Sequence, residues 1–182
     1  VTQAATPRKI GILLMMQMGL RIGEVCGLQW QDFDLDKGIL SVRRTVKRIY
    51  VENHRTKVVV QSPKTATSER AIPIPRKVLS LVHQLHNSQS PHTWFLSSQE
   101  AKPVEPRCYS KSIHCYLKHA QVSSVHPHAL RHTFATTCLQ NGCNVKTLSE
   151  IMGHASSDIT MKLYVHTCWE WKRAEIERIF NN

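Results

Sequence analysis

The stretch between Val125 and His166 limits the fold more than any other part of the chain, because it contains helix start and stop signals at short intervals. Pro127 suits the first turn of a helix, where its missing N–H costs nothing. Apolar residues then recur every four positions, at Leu130, Phe134 and Cys138. This spacing predicts a helix with one buried stripe. Gly142 is placed to end that helix in the left-handed conformation.

A second helix is predicted from Asn144 to about Met152, where apolar residues occur at helical spacing. The residues expected to face inward are Val145, Leu148 and Ile151 or Met152. Gly153 ends this helix, and His154 follows at once. Residues 156–158 are good N-cap residues, so they predict a third helix, which carries Tyr164.

His128 and Arg131 lie three positions apart on the first of these helices. Three residues turn an α-helix by about 300°, so the two side chains share a face. An imidazole beside a guanidinium group can hold one anion. The sequence therefore predicts an anion site at the edge of the buried stripe.

Upstream of this stretch, the spacing of the apolar residues is that of a helix in some segments and that of a strand in others. Helices are predicted at Ile10–Met18, Arg21–Leu28, Pro75–His86 and Arg107–Ala120, with a last one downstream at Cys168–Phe180. A period of two predicts a strand from Ile39 to Lys47, and Lys57–Ser62 and Arg70–Ile74 predict two more, joined by a turn. The expected fold class is α+β, mostly α-helical, with a small three-stranded antiparallel sheet.

The charge of the chain indicates a nucleic-acid partner. Its 182 residues, enough for one domain, include 24 Lys and Arg against 13 Asp and Glu, for a formal net charge of +11. Ten basic and two acidic residues lie between Arg43 and Lys77, which places +8 of that surplus in one region. A well-solvated surface is the other interpretation, but the concentration of charge favours DNA or RNA.

The cysteines and the apolar segments indicate a reducing, cytoplasmic setting. The six cysteines form no C-x-x-C pair, and several fall on apolar helical positions, where a reduced cysteine behaves as a small hydrophobic residue. No apolar run approaches the ~20 residues of a membrane span, and residues 1–9 do not have the layout of a signal peptide. The first residue, Val1, suggests a fragment of a longer chain.

Several motifs occur together in a fixed order. They are G-L-R-I-G-E at 19–24, P-K-T-A-T-S-E-R at 63–70, H-A-L-R-H-T-F-A-T at 128–136, M-G-H at 152–154, and a tyrosine ten residues later. This ordered set resembles the catalytic region of the tyrosine recombinases, the phage integrase family. The resemblance runs from about Gly11 to His166. It departs from the family pattern at Ala129 and at residues 151–152, where leucines are usual, and neither departure touches the expected chemistry.

The resemblance implies a set of catalytic residues. They are Arg21, Lys64, His128, Arg131, His154 and Tyr164. Tyr164 would be the nucleophile, Lys64 would protonate the leaving 5′ oxygen, and the two arginines would bind the phosphate. Glu24 would be the buried partner of Arg21, although residues three apart on a helix could also form a plain surface ion pair. The resemblance implies no cofactor and no metal.

The resemblance also implies partners and a domain organisation. We expect double-stranded DNA at a specific recombination site, a homotetramer on DNA that exchanges the C-terminal helix, and a monomer in isolation. That helix could also pack on its own domain. Residues 1–182 would be the catalytic domain, without the N-terminal core-binding domain, of a bacterial or phage-encoded enzyme that integrates or excises a mobile element or prophage. The DNA-contacting candidates are Arg43, Arg44, Lys47, Arg48, Lys111 and Lys118, of which the last two could equally face water.

Three other classes of function compete with this interpretation. His128 and His132 have the spacing of a zinc helix, but Ala129 stands where H-E-x-x-H places its general base, so His132 is interpreted as structural. A type IB topoisomerase would use similar chemistry to relax supercoils. A DNA-binding regulator would have lost the activity, yet every expected active-site position is filled.

Overall fold

The computed structural model describes residues 5–51, 55–62, 69–86, 89–123 and 125–154, together with 173, 176–177 and 179–180. The helices assigned in this part of the chain are α1 (Pro7–Met18), α2 (Ile22–Cys26), α3 (Arg76–Leu85), α4 (Pro106–His119), α5 (Pro127–Gln140) and α6 (Val145–Met152). The strands are β1 (Phe33–Asp34), β2 (Ile39–Val42), β3 (Thr45–Tyr50), β4 (Thr56–Gln61) and β5 (Arg70–Pro73). The predicted α+β, mostly helical class is confirmed.

Helix α1 has clear local signals at both ends. The Thr6 side chain accepts a hydrogen bond from the Lys9 N–H at the N-terminus, and Pro7 occupies the first turn. Gly19 ends the helix at φ 67°. A Cβ at Gly19 would lie 2.5 Å from the Phe134 ring, so a glycine is needed there both for the backbone and for the close approach of α5.

The three-stranded antiparallel sheet is confirmed, but its strands differ from the predicted ones. Strand β2 pairs with β1 and β5, whereas β3 and β4 form a separate two-stranded ribbon. The expectation of one strand from Ile39 to Lys47 is therefore wrong. Residues 43–44 belong to neither strand and separate β2 from β3, and Arg44 donates hydrogen bonds to the Asp32 carboxylate and the Gly27 carbonyl there. These internal contacts lie at the point where the chain passes from the first sheet to the ribbon.

The main core forms around α1. It brings together side chains from helices, strands and connecting segments, including Leu14, Val25, Leu40, Val78, Phe95 and Ile113, each fully buried or nearly so. A second, smaller cluster joins α5 to α6 through Phe134, Ala135, Leu148 and Met152. The second cluster sets the relation between the two helices that carry the H-A-L-R-H and M-G-H motifs.

Helix α4 buries Tyr109 and Ile113 and leaves its two cysteines at the surface. Cys108 and Cys115 fall on apolar helical positions in the sequence but are exposed, whereas Tyr109 and Ile113 are fully buried. The pair Tyr109 and Ile113 is four residues apart and buries more apolar surface than two thiols. The Tyr109 hydroxyl also donates a 2.7 Å hydrogen bond to the Arg8 carbonyl, which ties α4 to α1. Lys111 and Lys118 are exposed, as predicted.

The predicted helix at the C-terminus is partly described. Residues 173, 176–177 and 179–180 are helical, and the side chains of Ile176, Ile179 and Phe180 are exposed. The predicted turn that carries Lys64 and the predicted helix that carries Tyr164 lie outside the described residues. None of the helices in the described ranges is both long and apolar enough to cross a membrane.

Candidate active site

Arg21 and Glu24 form a fixed unit at the start of α2. The Arg21 backbone N–H donates to Glu24 Oε2 at 2.8 Å, and Arg21 Nη1 donates to Glu24 Oε1 at 2.8 Å. Glu24 is 5% exposed, whereas the Arg21 side chain is 39% exposed. The pair is therefore not a surface ion pair: a buried carboxylate holds a guanidinium group that reaches toward solvent.

Arg70 binds the same carboxylate and was not predicted as a site residue. Its Nη1 and Nη2 lie 3.1 Å and 3.0 Å from the two Glu24 oxygens, and its Nε donates to the Ile151 carbonyl at 2.5 Å. Burial alone would raise the pKa of the Glu24 carboxyl, but the hydrogen bonds and charge of Arg70, together with Arg21, hold that pKa below its usual value. Glu24 is thus an anion surrounded by arginines.

Arg131 is the most deeply buried of the site arginines, at 2% exposed. It donates to the carbonyls of Gly19 and Met152, the latter at 2.8 Å. Its Nη2 also lies 2.8 Å from His154 Nε2. Because arginine only donates hydrogen bonds, this imidazole nitrogen accepts, so the ring proton of neutral His154 is on Nδ1.

The C-terminal end of α6 is where the site arginines meet. Arg70 binds the carbonyl of Ile151, and Arg21 reaches those of Met152 and Gly153 at 3.3 Å and 3.2 Å. Arg131 shares the Met152 carbonyl with Arg21. The last carbonyls of a helix lack partners within it and carry partial negative charge, so they attract cations. Helix α6 therefore gathers three guanidinium groups beside His154.

Burial and the neighbouring arginines suppress protonation of His154. Burial lowers the pKa of the His154 imidazole to about 4, with further lowering by the charges of Arg131, Arg21 and Arg70 against a smaller opposing effect of Glu24. At neutral pH the ring is uncharged. It can accept one hydrogen bond and donate another, which suits a group that holds a phosphate oxygen through Nδ1–H.

His128 lies at the exposed start of α5, one turn before Arg131. Its backbone N–H donates to His126 Nδ1 at 3.2 Å, and its ring packs edge-to-face against His132 with 4.6 Å between centroids. Burial lowers the pKa of the His128 imidazole, and His132 and Arg131 lower it further. A largely neutral, accessible imidazole is suited to accept a proton.

A cleft of about 630 Å³ opens beside this cluster of groups. His128 and Arg131 both line it, which brings together the pair predicted to hold one anion. The other basic residues that line it are Arg21, Lys47, Arg48, Arg107 and His126. Of the described residues in its wall only Glu105 is acidic, and that carboxylate is bound by Arg48 at 2.6 Å and 2.8 Å. The cleft is therefore suited to an anionic ligand.

The predicted DNA-contacting residues divide into two groups. Arg43, Lys111 and Lys118 are exposed, and Lys47 and Arg48 line the cleft. Arg44 is engaged internally, since it lies 2.6 Å from both oxygens of Asp32, which is 2% exposed. Sequence reasoning missed Arg107 and Ser110, which enter the cleft from the first turns of α4. Their three-residue spacing at a helix start was the available signal.

Two of the predicted site residues, Lys64 and Tyr164, lie outside the described ranges. The chain has four tyrosines, and the other three are described. None of those three lines the cleft. Within the described ranges, no group of three or more His, Cys, Asp or Glu is placed to hold a metal ion.

Comparison with known proteins assigns the family. A family model described as the phage integrase family matches residues 2–169. The chain belongs to the phage integrase family. The matched range includes every motif that suggested the resemblance, from G-L-R-I-G-E to Tyr164. In this phage integrase family member, the described cluster of Arg21, Arg131, His128 and His154 lies within the matched region.

Among curated relatives, a tyrosine recombinase XerC-like protein of Caldanaerobacter subterraneus is 29% identical over 92% of this chain and 47% of its own length. Tyrosine recombinase XerC of Myxococcus xanthus is 32% identical over 84% of this chain and 47% of its own length. The chain thus spans about half the length of these relatives.

Solved structures agree with the fold. The integrase of transposon Tn1549, in complex with a circular intermediate DNA, superposes with a TM-score of 0.74 at 26% identity, over 93% of this chain and 57% of that one. The XerA recombinase superposes with a TM-score of 0.66 at 22% identity, over 99% of this chain and 65% of that one. Helices α1 to α6 and the small sheet are therefore a phage integrase family catalytic fold.

Proposed function

We propose that this chain is the catalytic domain of a site-specific DNA recombinase, which cuts and rejoins DNA through a 3′-phosphotyrosyl intermediate. The observation that carries the proposal is the convergence of Arg21, Arg131 and His128 on one basic cleft, with His154 held by Arg131, in a member of the phage integrase family. Relatives named tyrosine recombinases support the reaction class, and a neighbour solved with DNA supports the substrate.

The arginines fit the electrostatic demand of phosphoryl transfer. The reaction needs positioning of the phosphate and stabilisation of charge on its non-bridging oxygens. Guanidinium groups supply paired N–H donors and remain charged at any relevant pH. Arg21 extends from a buried anchor toward solvent, and Arg131 lies deeper in the same wall, so the two can bind different oxygens of one phosphate.

In the proposed first step, the Tyr164 oxygen attacks the phosphorus atom and the bond from phosphorus to the 5′ oxygen breaks. His128 accepts the phenolic proton, and Lys64 gives a proton to the departing 5′ oxygen. Neutral His154 donates a hydrogen bond to a phosphate oxygen. In the second step, a 5′ hydroxyl attacks the phosphotyrosine and releases Tyr164, so strands rejoin without ATP.

The described tyrosines favour Tyr164 as the nucleophile. Tyr109 is fully buried, its hydroxyl is bound to the Arg8 carbonyl, and burial raises the pKa of its phenol. Tyr50 is 81% exposed on β3, and Tyr116 lies on α4. Neither lines the cleft that holds the arginines. Tyr164 is the remaining tyrosine of the chain.

The biological setting is part of the same proposal. Double-stranded DNA at a specific site is the substrate, and the product is an integrated or excised mobile element or prophage. Four copies assemble on DNA and exchange C-terminal helices. The exposed Ile176, Ile179 and Phe180 support this exchange, because such an apolar face gains from being covered. Residues 1–182 are the catalytic domain, and a core-binding region would clamp the opposite face of the DNA.

The test uses DNA substrates that prevent rejoining. A tiled set of nicked duplexes covers the DNA on both sides of the gene, so that a short cleaved fragment diffuses away and leaves the protein attached. We expect one duplex to give an SDS-resistant adduct, and Tyr164→Phe to abolish it while DNA affinity is kept. Tyr116→Phe is the matched control and should retain the adduct. Adduct formation by Tyr164→Phe, or a DNA-linked peptide containing another tyrosine, would contradict the proposal.

Two further measurements separate the competing classes. A type IB topoisomerase would relax a supercoiled plasmid that lacks the identified site, whereas a recombinase requires the site. A metal-dependent hydrolase would lose cleavage in EDTA and recover it with zinc. We expect cleavage to survive EDTA, because the arginines place beside the phosphate the positive charge that a metal ion would otherwise supply.

A further inference from the structure

Arg70 is a buried cation to which the reaction scheme assigns no task. Its side chain is 7% exposed. It also has no place among the described residues that line the cleft. A buried charge is costly unless its contacts offset the cost, so the identity of those contacts indicates what Arg70 does.

The first contact is a bidentate ion pair with the Glu24 carboxylate. Glu24 Oε1 accepts from Arg21 Nη1 and Arg70 Nη1, and Oε2 accepts from the Arg21 backbone N–H and Arg70 Nη2. Each carboxylate oxygen therefore has one donor from each arginine. Rotation of the carboxylate would break contacts to both. Since Arg70 sets the plane of the carboxylate, it also sets the direction of the Arg21 guanidinium group.

The second contact is with the end of α6. Arg70 Nε donates to the Ile151 carbonyl at 2.5 Å, three residues before His154. Gly153 has φ +62°, and a Cβ added there would lie 2.8 Å from Arg70 Nη1. Arg70 thus packs directly against the turn that leads into His154. The same guanidinium group therefore contacts Glu24, which holds Arg21, and the end of α6, which leads into His154.

The backbone of Arg70 is itself well anchored. Arg70 is the first residue of β5 and pairs with Val42 of β2, which is fully buried. The sheet therefore fixes the point from which the side chain extends. A lysine at this position would keep the charge but could make neither the fork on Glu24 nor the additional Nε bond, because its ammonium is one point charge.

We propose that Arg70 is a positioning residue for the recombinase reaction. It orients Arg21 through Glu24 and holds His154 in place through the end of α6, so that both groups meet the same phosphate. This inference rests on the proposed function for its effect on cleavage. The link from Arg70 to Arg21 can also be measured without DNA.

The cleavage test uses Arg70→Lys in the full chain with the nicked duplex that gives the highest adduct yield. We expect the rate of adduct formation at saturating protein to fall about 10- to 100-fold, by analogy with the loss of outer contacts that orient metal ligands. DNA affinity should change little. Combining Arg70→Lys with Arg21→Lys should cost less than the two separate losses multiplied, because Arg70 acts through Arg21.

A matched control separates positioning from stability. Val82→Ala removes two methyl groups from a fully buried site in α3, away from the cleft. It should lower the melting temperature but leave the adduct rate unchanged below that temperature. Equal rate losses in Val82→Ala and Arg70→Lys would mean that Arg70 contributes only stability. The inference would also be overturned if the rate loss in the Arg21 and Arg70 double variant equalled the product of the two single losses.

The measurement without DNA is the NMR signal of the Arg21 side-chain nitrogens. In the parent chain these should be well ordered, and in Arg70→Lys they should show faster motion. An unchanged Arg21 signal would overturn the inference, whether or not the chain cleaves DNA. A chain that cleaves no duplex would contradict the proposed function but not the link from Arg70 to Arg21. If Arg70→Lys fails to fold, Glu24→Gln tests the same link, and unaltered Arg21 motion there would also overturn it.

Discussion

Arginine occurs in two settings in this molecule. In the arginine cluster, defined as Arg21, Arg70 and Arg131, each guanidinium group binds backbone carbonyls of α6 or the buried Glu24. In the basic ribbon, defined as β3 and β4 with their flanks, the cations lie at the protein surface or line the cleft. Its basic residues are Arg43, Lys47, Arg48, Arg55 and Lys57, all exposed or half-exposed. The cluster fixes the directions of its guanidinium groups, whereas the ribbon supplies positive charge for binding.

The difference teaches how a basic protein can separate reactivity from affinity. A phosphate reaction depends on donor geometry, and geometry is maintained by buried partners such as Glu24. Affinity for a polyanion depends on the number of cations near phosphates, and exposed flexible side chains suffice for this. Substitutions in the cluster should therefore affect rate, and substitutions in the ribbon should affect binding.

The largest expected effect comes from Arg131→Lys. It keeps the charge but loses the fork that contacts the Met152 carbonyl and His154. We expect the rate of adduct formation to fall about 10²- to 10³-fold, as when one preorganised donor is removed from an active site. DNA affinity should be nearly unchanged. Single-turnover cleavage and equilibrium binding at one salt concentration measure the two effects.

The matched control is Arg55→Lys in the ribbon, where the side chain is exposed. It makes the same chemical change and should alter neither rate nor affinity. Equal losses of cleavage and binding in Arg131→Lys would mean that Arg131 only binds, and the distinction between the two settings would not hold.

The second effect is the salt dependence of DNA binding. Each phosphate contact that is lost should reduce the slope of log K against log salt by about 0.9. Arg43→Ala combined with Lys47→Ala should therefore flatten the slope by about 1.8. Arg70→Met in the cluster should leave the slope near that of the parent chain, because Arg70 is buried on Glu24. A flat titration of the parent chain would contradict the role of the ribbon.

Much of the arginine cluster could be predicted from local sequence. His128 and Arg131 are neighbours on α5, and Arg21 and Glu24 are three apart on α2, so helical spacing brings each pair together. Gly153 ends α6 beside His154, as its left-handed conformation required. These signals act within one turn of a helix. They depend little on the rest of the fold.

Contacts between distant segments could not be predicted in this way. Arg70 binds Glu24 across 46 positions and Ile151 across 81, so no local pattern distinguishes it from a solvated arginine. The break between β2 and β3 coincides with the contact of Arg44 with the buried Asp32, which lies 12 positions away in sequence. The exposure of Cys108 and Cys115 on α4 could not be predicted either, because cysteine and the buried Tyr109 have similar apolar character in sequence.

A smaller effect is expected from Gly153→Ala, compared with Gly142→Ala. Both glycines have positive φ, 62° and 76°, so alanine strains the backbone at each. Only at Gly153 would the new Cβ meet Arg70, at 2.8 Å, whereas nothing lies within 4 Å at Gly142. We expect Gly153→Ala to lower the free energy of unfolding by about 1 kcal/mol more, within the 1–3 kcal/mol range of overpacking. Urea unfolding of both variants measures the difference, and equal losses would show that Arg70 moves aside freely.

The smallest effect concerns the pH dependence of stability. The pKa of His154 is about 4 in the folded chain, below its ordinary value, because burial and then Arg131, Arg21 and Arg70 oppose its charge. Between roughly pH 6.5 and pH 4 the unfolded chain therefore binds a proton at this position that the folded chain does not. Stability from the neutral ring is fully present above pH 6.5 and is lost as the pH falls toward 4. His128 adds to the same trend, since its pKa is also lowered.

His154→Gln removes this titration while an amide still offers an acceptor to Arg131 Nη2. We expect the melting temperature of the parent chain to fall more steeply than that of His154→Gln between pH 6.5 and pH 4, with parallel curves above pH 7. Burial opposes the charge of Glu24, but Arg70 and Arg21 hold its pKa below the usual value, so Glu24 adds to the loss of stability at the acidic end of this window. This contribution is common to both chains and cancels in the comparison of their slopes. Identical slopes for the parent and His154→Gln would show that the arginine cluster does not hold this imidazole in its neutral form.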